Sequence, residues 1–339
     1  MKRFVVFLAL MCASIVHAAC SQTAIICARP AGNTGTGFFV DGSKLYDPTG
    51  VEFRIRGVNQ AHRDNPGAPT GIPRSGANTN RMAVSFALSS TANLSNLKAV
   101  LDAGVTPMPG SWLGTCKSDS ATLASIVDNW VAQAPVWTTL NATGLVNIAN
   151  EWGAPNSAAW RDGYIVAIAR MRAAGYLMPL VIDSGGCGQD AADVLKYGAE
   201  VLASDPQKNV IFDEHVYGVW KYPTATSWQQ DYTKSMAALK STGLPIIVGE
   251  FGPGRNIGPS PTMLTPEKII SDAESNGFGW LAWAWDDNNL AACAADDGWF
   301  AMTTKCGRYT GQDATELTEF GRTVVPLFKA TGAELAHLH

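Results

Sequence analysis

A recurring pattern organises most of the chain: a short apolar or β-branched run, then turn residues, then a segment with helical periodicity. The runs are "EFRIRGVNQ" (52–60), "ANTNRMAV" (77–84), "GVTPMPGSW" (104–112), "LVNIANEW" (145–152), "LMPLVIDSG" (177–185), "VIFDEHVYG" (210–218), "PIIVGEFG" (245–252) and "GWLAWAWDDN" (279–288). Eight such runs predict eight strands. Between them, "SAAWRDGYIVAIARMRAAG", "AADVLKYGAEVLAS" and "SWQQDYTKSMAALKSTG" are amphipathic and close near a glycine, as helices often do. Eight strand–helix units in about 300 residues predict one α/β domain, a (β/α)8 barrel. The first unit is irregular, because "AHRDNPGAPTGIPRSG" (61–76) carries no convincing helical pattern. "GFFVDGSKLYDPTGVEF" (37–53) predicts a hairpin closing the barrel floor, and "TELTEFGRTVVPLFKATG" (315–332) the last helix.

The start of the chain reads as an address. Lys2 and Arg3 precede the apolar run "FVVFLALMCASIV", and Val16 and Ala18 occupy small-residue cleavage positions. The expected division is a signal peptide over 1–18 and a catalytic domain over 19–339, released outside the cell or into a periplasm. Acylation at Cys20 is the weaker alternative, because His17 stands where an aliphatic residue is required. No later segment reaches the roughly 18 apolar residues of a membrane helix. Removal of Cys12 with the leader leaves six cysteines, an even number that favours disulfides in an exported chain. Spacing suggests Cys20–Cys27 and Cys293–Cys306, leaving Cys116 for Cys187, among the 15 pairings that six cysteines allow.

The formal net charge of −4, with dispersed lysines and arginines, argues against nucleic acid or an anionic membrane as partner. The expected protein is a soluble monomer. Eleven tryptophans and 33 glycines with only 16% charged residues point to a loop-rich enzyme with large aromatic surfaces. Trp130, Trp137, Trp160 and Trp228 fall in helical segments and read as core. Trp112, Trp152, Trp220 and Trp299 fall at strand ends or in loops, where an indole can stack on a pyranose.

In a (β/α)8 barrel the active site gathers at the carboxyl ends of the strands. Those ends here are Asn59 and Gln60, Arg81, Trp112, Asn150 and Glu151, Asp183, His215 and Tyr217, Glu250, and Trp285 and Asp286. Glu151 and Glu250 close strands four and seven and would face each other across the mouth. Two carboxyl groups across a gap are what glycoside hydrolysis needs, one to protonate the leaving oxygen and one to attack or to activate water. Taken singly, each glutamate reads more readily as a helix cap. The acid has to keep its proton near neutral pH, which an apolar neighbour such as Trp152 and a nearby charge such as Glu250 favour. The nucleophile has to stay ionised, which Arg81 and Tyr217 favour. Glu151 is therefore assigned as acid/base and Glu250 as nucleophile.

Other chemistries have less support. After His17 and the terminal His337 and His339 are set aside, His62 and His215 are too few for a typical metallohydrolase. Asp213 and His215 share a strand face, an arrangement that more often means a hydrogen-bonded pair than a metal site. "GNTGTG" and "GPGRNIG" lack the strand–glycine–helix context of a nucleotide loop, and "GSWLG" lacks the order of a nucleophile elbow. No cofactor is expected.

The segments "ANTNR", "NIANE", "HVY", "VGEFG" and "GWLAWAW", in that order along the chain, resemble glycoside hydrolase family five, the retaining (β/α)8 glycanases of clan A. "GVNQAH", "VIDSGGCGQD", "NVIFDEHVYGVW" and "GLPIIVGEFG" look most like its bacterial endo-β-1,4-mannanases. The resemblance implies that Arg81 supports the nucleophile Glu250, and that Asn150 bonds the sugar's 2-hydroxyl beside the acid/base Glu151. It further implies that His215 and Tyr217 line the cleaved site and that Trp285 forms the platform beneath the sugar, with Trp283 one layer deeper. His62, Trp112, Trp152 and Trp220 complete the expected substrate-binding set. The chain departs from the family in "PMPGSWLGTC", with Trp112 near the position of a usual histidine, in Gln60 and "AHRDN" after strand one, and at Cys187, where a tryptophan is usual. The expected function is a secreted retaining endo-β-1,4-glycanase, which the resemblance makes a β-mannanase acting on plant-type polysaccharide. The alternatives are a cellulase or xylanase using the same residues, and a sugar-binding barrel without catalysis.

Overall fold

The computed structural model describes residues 26–63, 65–86, 90–221, 230–253, 264–286, 300–304 and 306–330. The expected leader (1–18), Cys20, Cys293, Trp228, Trp299, His337 and His339 lie outside them.

All eight predicted strands form and close one parallel barrel. They are β3 (Arg56–Gln60), β4 (Thr79–Ala83), β5 (Thr106–Gly110), β6 (Val146–Asn147), β7 (Leu180–Asp183), β8 (Val210–Val216), β11 (Ile246–Phe251) and β12 (Gly279–Ala282). Before them, β1 (Phe39–Asp41) and β2 (Lys44–Tyr46) pair antiparallel as the expected hairpin. Phe38, Val40 and Leu45 from this hairpin pack with Ile55, Met108, Leu145, Val181, Ile211, Ile247 and Leu281 of the barrel. These positions lie at the amino ends of the strands, so the hairpin seals the floor and leaves the opposite mouth open. A short parallel pair, β9 (Trp220–Lys221) with β10 (Gln230–Asp231), follows β8.

The helices surround the barrel: α1 (Ala68–Ser75), α2 (Ser90–Asp102), α3 (Ser120–Ala132), α4 (Ala134–Trp137), α5 (Ala158–Ala173), α6 (Gly185–Gly188), α7 (Ala191–Ser204), α8 (Tyr232–Ser241), α9 (Pro266–Asn276) and α10 (Glu319–Val324). Helix α1 corrects the expectation that 61–76 holds none. Its two prolines hide the helical pattern, yet Pro69 sits in the first turn, where a missing N–H costs nothing. Pro73 lies near the end, and Gly76 stops the helix at φ +93°. Asp119, Ser157, Asp190, Asp231 and Thr265 cap α3, α5, α7, α8 and α9 through side-chain oxygens. Trp130, Trp137 and Trp160 are fully buried between barrel and helices, as expected from their helical setting. No helix among the described residues is long and apolar enough to cross a membrane.

Candidate active site

The carboxyl ends of β4, β6, β7, β8 and β11 deliver one connected group of polar side chains, almost all withdrawn from solvent. At its centre Arg81, fully buried, donates to Glu250 Oε1 at 2.6 Å, Asn150 Oδ1 at 2.6 Å, Asn59 Oδ1 at 2.9 Å and Asn147 Oδ1 at 3.1 Å. Burial alone would lower its pKa, but Glu250, Asp183 and Asp213 raise it further, so the guanidinium stays charged. Its Cζ also lies 4.6 Å from the centre of the Trp112 ring.

Glu250 is gripped on both oxygens, since the Tyr217 hydroxyl donates to Oε2 at 3.0 Å. Burial pushes the Glu250 carboxyl above its ordinary pKa, while His215 and Arg81 pull it back. Across the mouth, Glu151 Oε1 is 3.0 Å from His215 Nδ1, a contact that holds one proton. His215 Nδ1 is also 3.5 Å from Glu250 Oε2. Burial lowers the imidazole's proton affinity, but the facing carboxylates of Glu250 and Asp183 outweigh it and leave the pKa well above the usual value. Oxygens of Glu151 and Glu250 and a nitrogen of His215 all lie within 4.8 Å of one another. So close an approach of the two carboxyls fits the retaining geometry, about 5 to 5.5 Å between carboxyl groups, better than the inverting one at about 6.5 to 9.5 Å.

Glu151 adopts φ +53°, a left-handed conformation uncommon outside glycine. Asp183, at the end of β7, accepts its backbone N–H at 2.7 Å and that of Asn147's side chain at 2.5 Å. Burial lifts Asp183 to about 7 against the opposing pull of His215 and Arg81. Asn147, a lone amide in an apolar run, is the site residue that sequence reasoning missed. Asp183 stood among the polar strand ends without a role, and the barrel brings it onto the Glu151 backbone N–H and the Asn147 side chain. Two donor sets have the reach for a metal, Glu151–His215–Glu250 and Asp183–Asp213–His215, each with atoms within 4.8 Å. Arg81 bonds into both, to Glu250 and at 3.4 Å to Asp183, and already supplies positive charge there.

The aromatic expectations need correction. Trp285 is fully buried, with its Nε1 donating to Gly307 O at 2.9 Å and its ring set edge-on to Tyr309 and against Gly71. A ring enclosed between barrel and α1 cannot lie beneath a sugar. Trp283 is the half-exposed one, facing Trp112 with ring centres 5.9 Å apart. The chain leaves the strand pattern after Ala282, so Trp285 is not at the strand end where the resemblance implied a platform. Trp152 and Trp220 are also buried rather than stacked on the cleft. Trp152 lies edge-on to Tyr164 of α5 and donates to Asp119 O, so its ring packs toward the helices. Trp220 donates to His215 O at 2.7 Å and so steadies that strand end. His62 follows β3 at the rim, its backbone N–H on Asp286. Asn150 keeps its side-chain N–H on Thr115 at 2.9 Å. Of the expected disulfides, Cys116–Cys187 is present. Cys27 and Cys306 are disulfide-bonded, and the partners assigned to them lie outside the described residues.

The family described as Cellulase (glycosyl hydrolase family 5) matches residues 75–289, which span β4 to β12 and every side chain of this cluster except Asn59. The chain is 31% identical over 265 residues to a mannan endo-1,4-beta-mannosidase of Salipaludibacillus agaradhaerens, covering 75% of this chain and 82% of that protein. It is 33% identical over 271 residues to one of Streptomyces lividans, covering 74% and 67%. Among solved structures, the mannohexaose complex of Thermomonospora fusca beta-mannanase superposes with a TM-score of 0.69 at 27% identity, over 88% of this chain and 95% of that one. With two carboxylates at retaining distance on the ends of β6 and β11, the chain belongs to glycosyl hydrolase family 5.

Proposed function

We propose that the protein is a secreted, monomeric, retaining endo-β-1,4-mannanase in which Glu250 is the nucleophile and Glu151 the acid/base. The observation that carries this reading is the pairing of the two carboxyls within 4.8 Å, with Glu250 alone held on both oxygens by Arg81 and Tyr217. The donors at 2.6 and 3.0 Å keep Glu250 ionised and fix its rotamer for attack at the anomeric carbon. Glu151 is bonded through Oε1 to His215 and, among the described residues, receives no N–H or O–H on Oε2, which serves the glycosidic oxygen. In the first step Glu151 protonates that oxygen as Glu250 displaces it, leaving an α-linked glycosyl ester. In the second, Glu151 takes a proton from water, which attacks the ester and restores the β configuration. Asn150, anchored by Arg81, is assigned to the 2-hydroxyl, and Trp283 with Trp112 forms the aromatic floor and wall for the sugar on the non-reducing side. The likeness to mannan endo-1,4-beta-mannosidases supports mannan as substrate, and the leader-like segment 1–18 supports export.

Glu250→Ala is expected to abolish turnover of an activated aryl β-mannoside, by several orders of magnitude. Added azide should restore part of it and yield the α-glycosyl azide. A β-azide would place the nucleophile elsewhere. A panel of mannan, glucan and xylan polymers with product sizing tests the substrate, and preferential cleavage of glucan or xylan would overturn the mannan assignment.

A further inference from the structure

Cys116 lies in the loop after β5, and Cys187 in the turn after β7, so the two straddle β6, the strand that delivers Glu151. Their disulfide joins the two neighbouring loops with Cα atoms 4.4 Å apart. Sγ of Cys116 is 3.5 Å from Glu151 Oε2, while Oε1 is 3.0 Å from His215 Nδ1. The two oxygens thus face different chemistry. Oε1 is fixed by an imidazole; Oε2 meets a bonded sulfur, which has no hydrogen to donate and is a weak acceptor. The apolar neighbour expected of Trp152 is supplied by this disulfide instead.

The backbone around it is unusual on all three strands' ends. Cys116, Glu151 and Cys187 have φ of +53°, +53° and +59°, conformations that persist in non-glycine residues where their surroundings over-determine them. Gly186 and Gly188 flank Cys187 at φ +62° and +71°. A β-carbon on Gly188 would come within 2.6 Å of His215 Nδ1, so the turn carrying Cys187 is seated on the imidazole that holds Glu151. One covalent bond therefore connects the turn over His215 to the sulfur against Glu151.

We propose that the Cys116–Cys187 disulfide is a positioning element for the acid/base step: it holds the Glu151 carboxyl with Oε2 free and directed at the glycosidic oxygen, and opening it weakens protonation of the leaving group. The proposal rests on the reading of Glu151 as acid/base. Cys116 is exposed and Cys187 half-buried, so a small dithiol can reach the bond. Reduction transfers two electrons and two protons from the dithiol, which becomes a cyclic disulfide, and leaves two cysteine thiols. The Cys116 S–H can then donate to Oε2 and occupy the atom that has to serve the substrate.

The test compares Cys116→Ala/Cys187→Ala with Glu151→Gln on two substrates: a β-mannan, whose leaving group needs a proton, and a 2,4-dinitrophenyl β-mannoside, whose leaving group does not. The cysteine variant is expected to lose about tenfold or more in kcat on mannan, as misplacement of a catalytic group does, while the dinitrophenolate burst changes by less than about twofold. Equal loss on both substrates, or none on mannan, would overturn the proposal. If the variant does not fold, wild-type protein is treated with dithiothreitol under conditions that leave its circular dichroism unchanged, and alkylation with mass mapping identifies the opened bond. With alkylation and mass mapping confined to a quenched aliquot, the same split is expected in the reduced protein and its reversal on re-oxidation of the unalkylated remainder; no split in protein whose aliquot shows Cys116 and Cys187 opened refutes the idea. Glu151→Gln separates the two levels. If it fails to show the split, the acid/base reading falls; if it shows the split and the cysteine variant does not, only the disulfide proposal falls.

Discussion

Glu250 is pulled in opposite directions: burial favours its neutral form, while Arg81 and His215 favour the carboxylate and Glu151 opposes it. The balance lies above the ordinary value. A nucleophile works only when ionised, so activity is lost as pH falls through that raised pKa. The acid limb of kcat/KM should therefore have its midpoint above the ordinary glutamate value of about 4.3; a limb at or below that value would contradict the account of the site. The tryptophans give a second prediction. Trp283→Ala should weaken binding of mannooligosaccharides about tenfold, the loss of one stacking surface, with little change in melting temperature. Trp285→Ala should do the reverse, costing roughly 3–5 kcal/mol of stability as buried aromatic truncations do. Calorimetric titration and thermal unfolding of the two variants check this pair. The meeting of Glu151 and Glu250 at the mouth was legible in the sequence, because each ends an apolar run with a polar residue and the barrel fixes where such ends meet. The platform was not. Alternation predicts Trp283 and Trp285 on one face, but it holds only inside a strand, and the strand stops at Ala282.

Between elements, the joint of α5, β7, α7 and β8 depends on one buried cation. Arg172, near the end of α5, makes a two-pronged contact with Asp205 at 2.9 and 2.8 Å and donates to the carbonyls of Tyr176, Met178 and Asn209. Burial would raise the Asp205 pKa, but the hydrogen bonds and charge of Arg172 lower it below the usual carboxylate range. Arg172→Ala would strand that carboxylate, so a loss of about 3–5 kcal/mol is expected by denaturant unfolding. The joint lies away from the mouth, and kcat/KM of the folded variant should stay near wild type; a large fall with unchanged stability would show that it shapes the site. Strands and the hairpin were readable because each short apolar run is bounded by turn residues. Helix α1 was not, because Pro69 and Pro73 speak against a helix locally while tertiary packing of Ile72 and Ala68 on the barrel favours one. The consequence for the site is indirect but real, since α1 is what encloses Trp285.

At the scale of the whole molecule, the barrel converts sequence distance into proximity. Ninety-nine positions separate Glu151 from Glu250 in the chain, and closure through β6, β7, β8 and β11 brings their oxygens within 4.8 Å. The floor is sealed by the hairpin, so apolar burial stabilises one end while the other carries buried charges that stability alone would not favour. Arg81, His215 and the carboxylates Asp183, Asp213, Glu151 and Glu250 belong to that second group. Their order along the strands was legible; the network among them was not, because hydrogen bonds between strands depend on register and barrel closure. On the reading proposed above, this network performs double displacement on β-mannan. That reading is tested most directly by ¹H NMR during hydrolysis of a β-1,4-mannooligosaccharide by the wild-type protein. The account predicts that the β-anomer of the new reducing end forms first and that the α-anomer follows only by mutarotation; an α-anomer formed first, or no cleavage of the mannooligosaccharide, would contradict it.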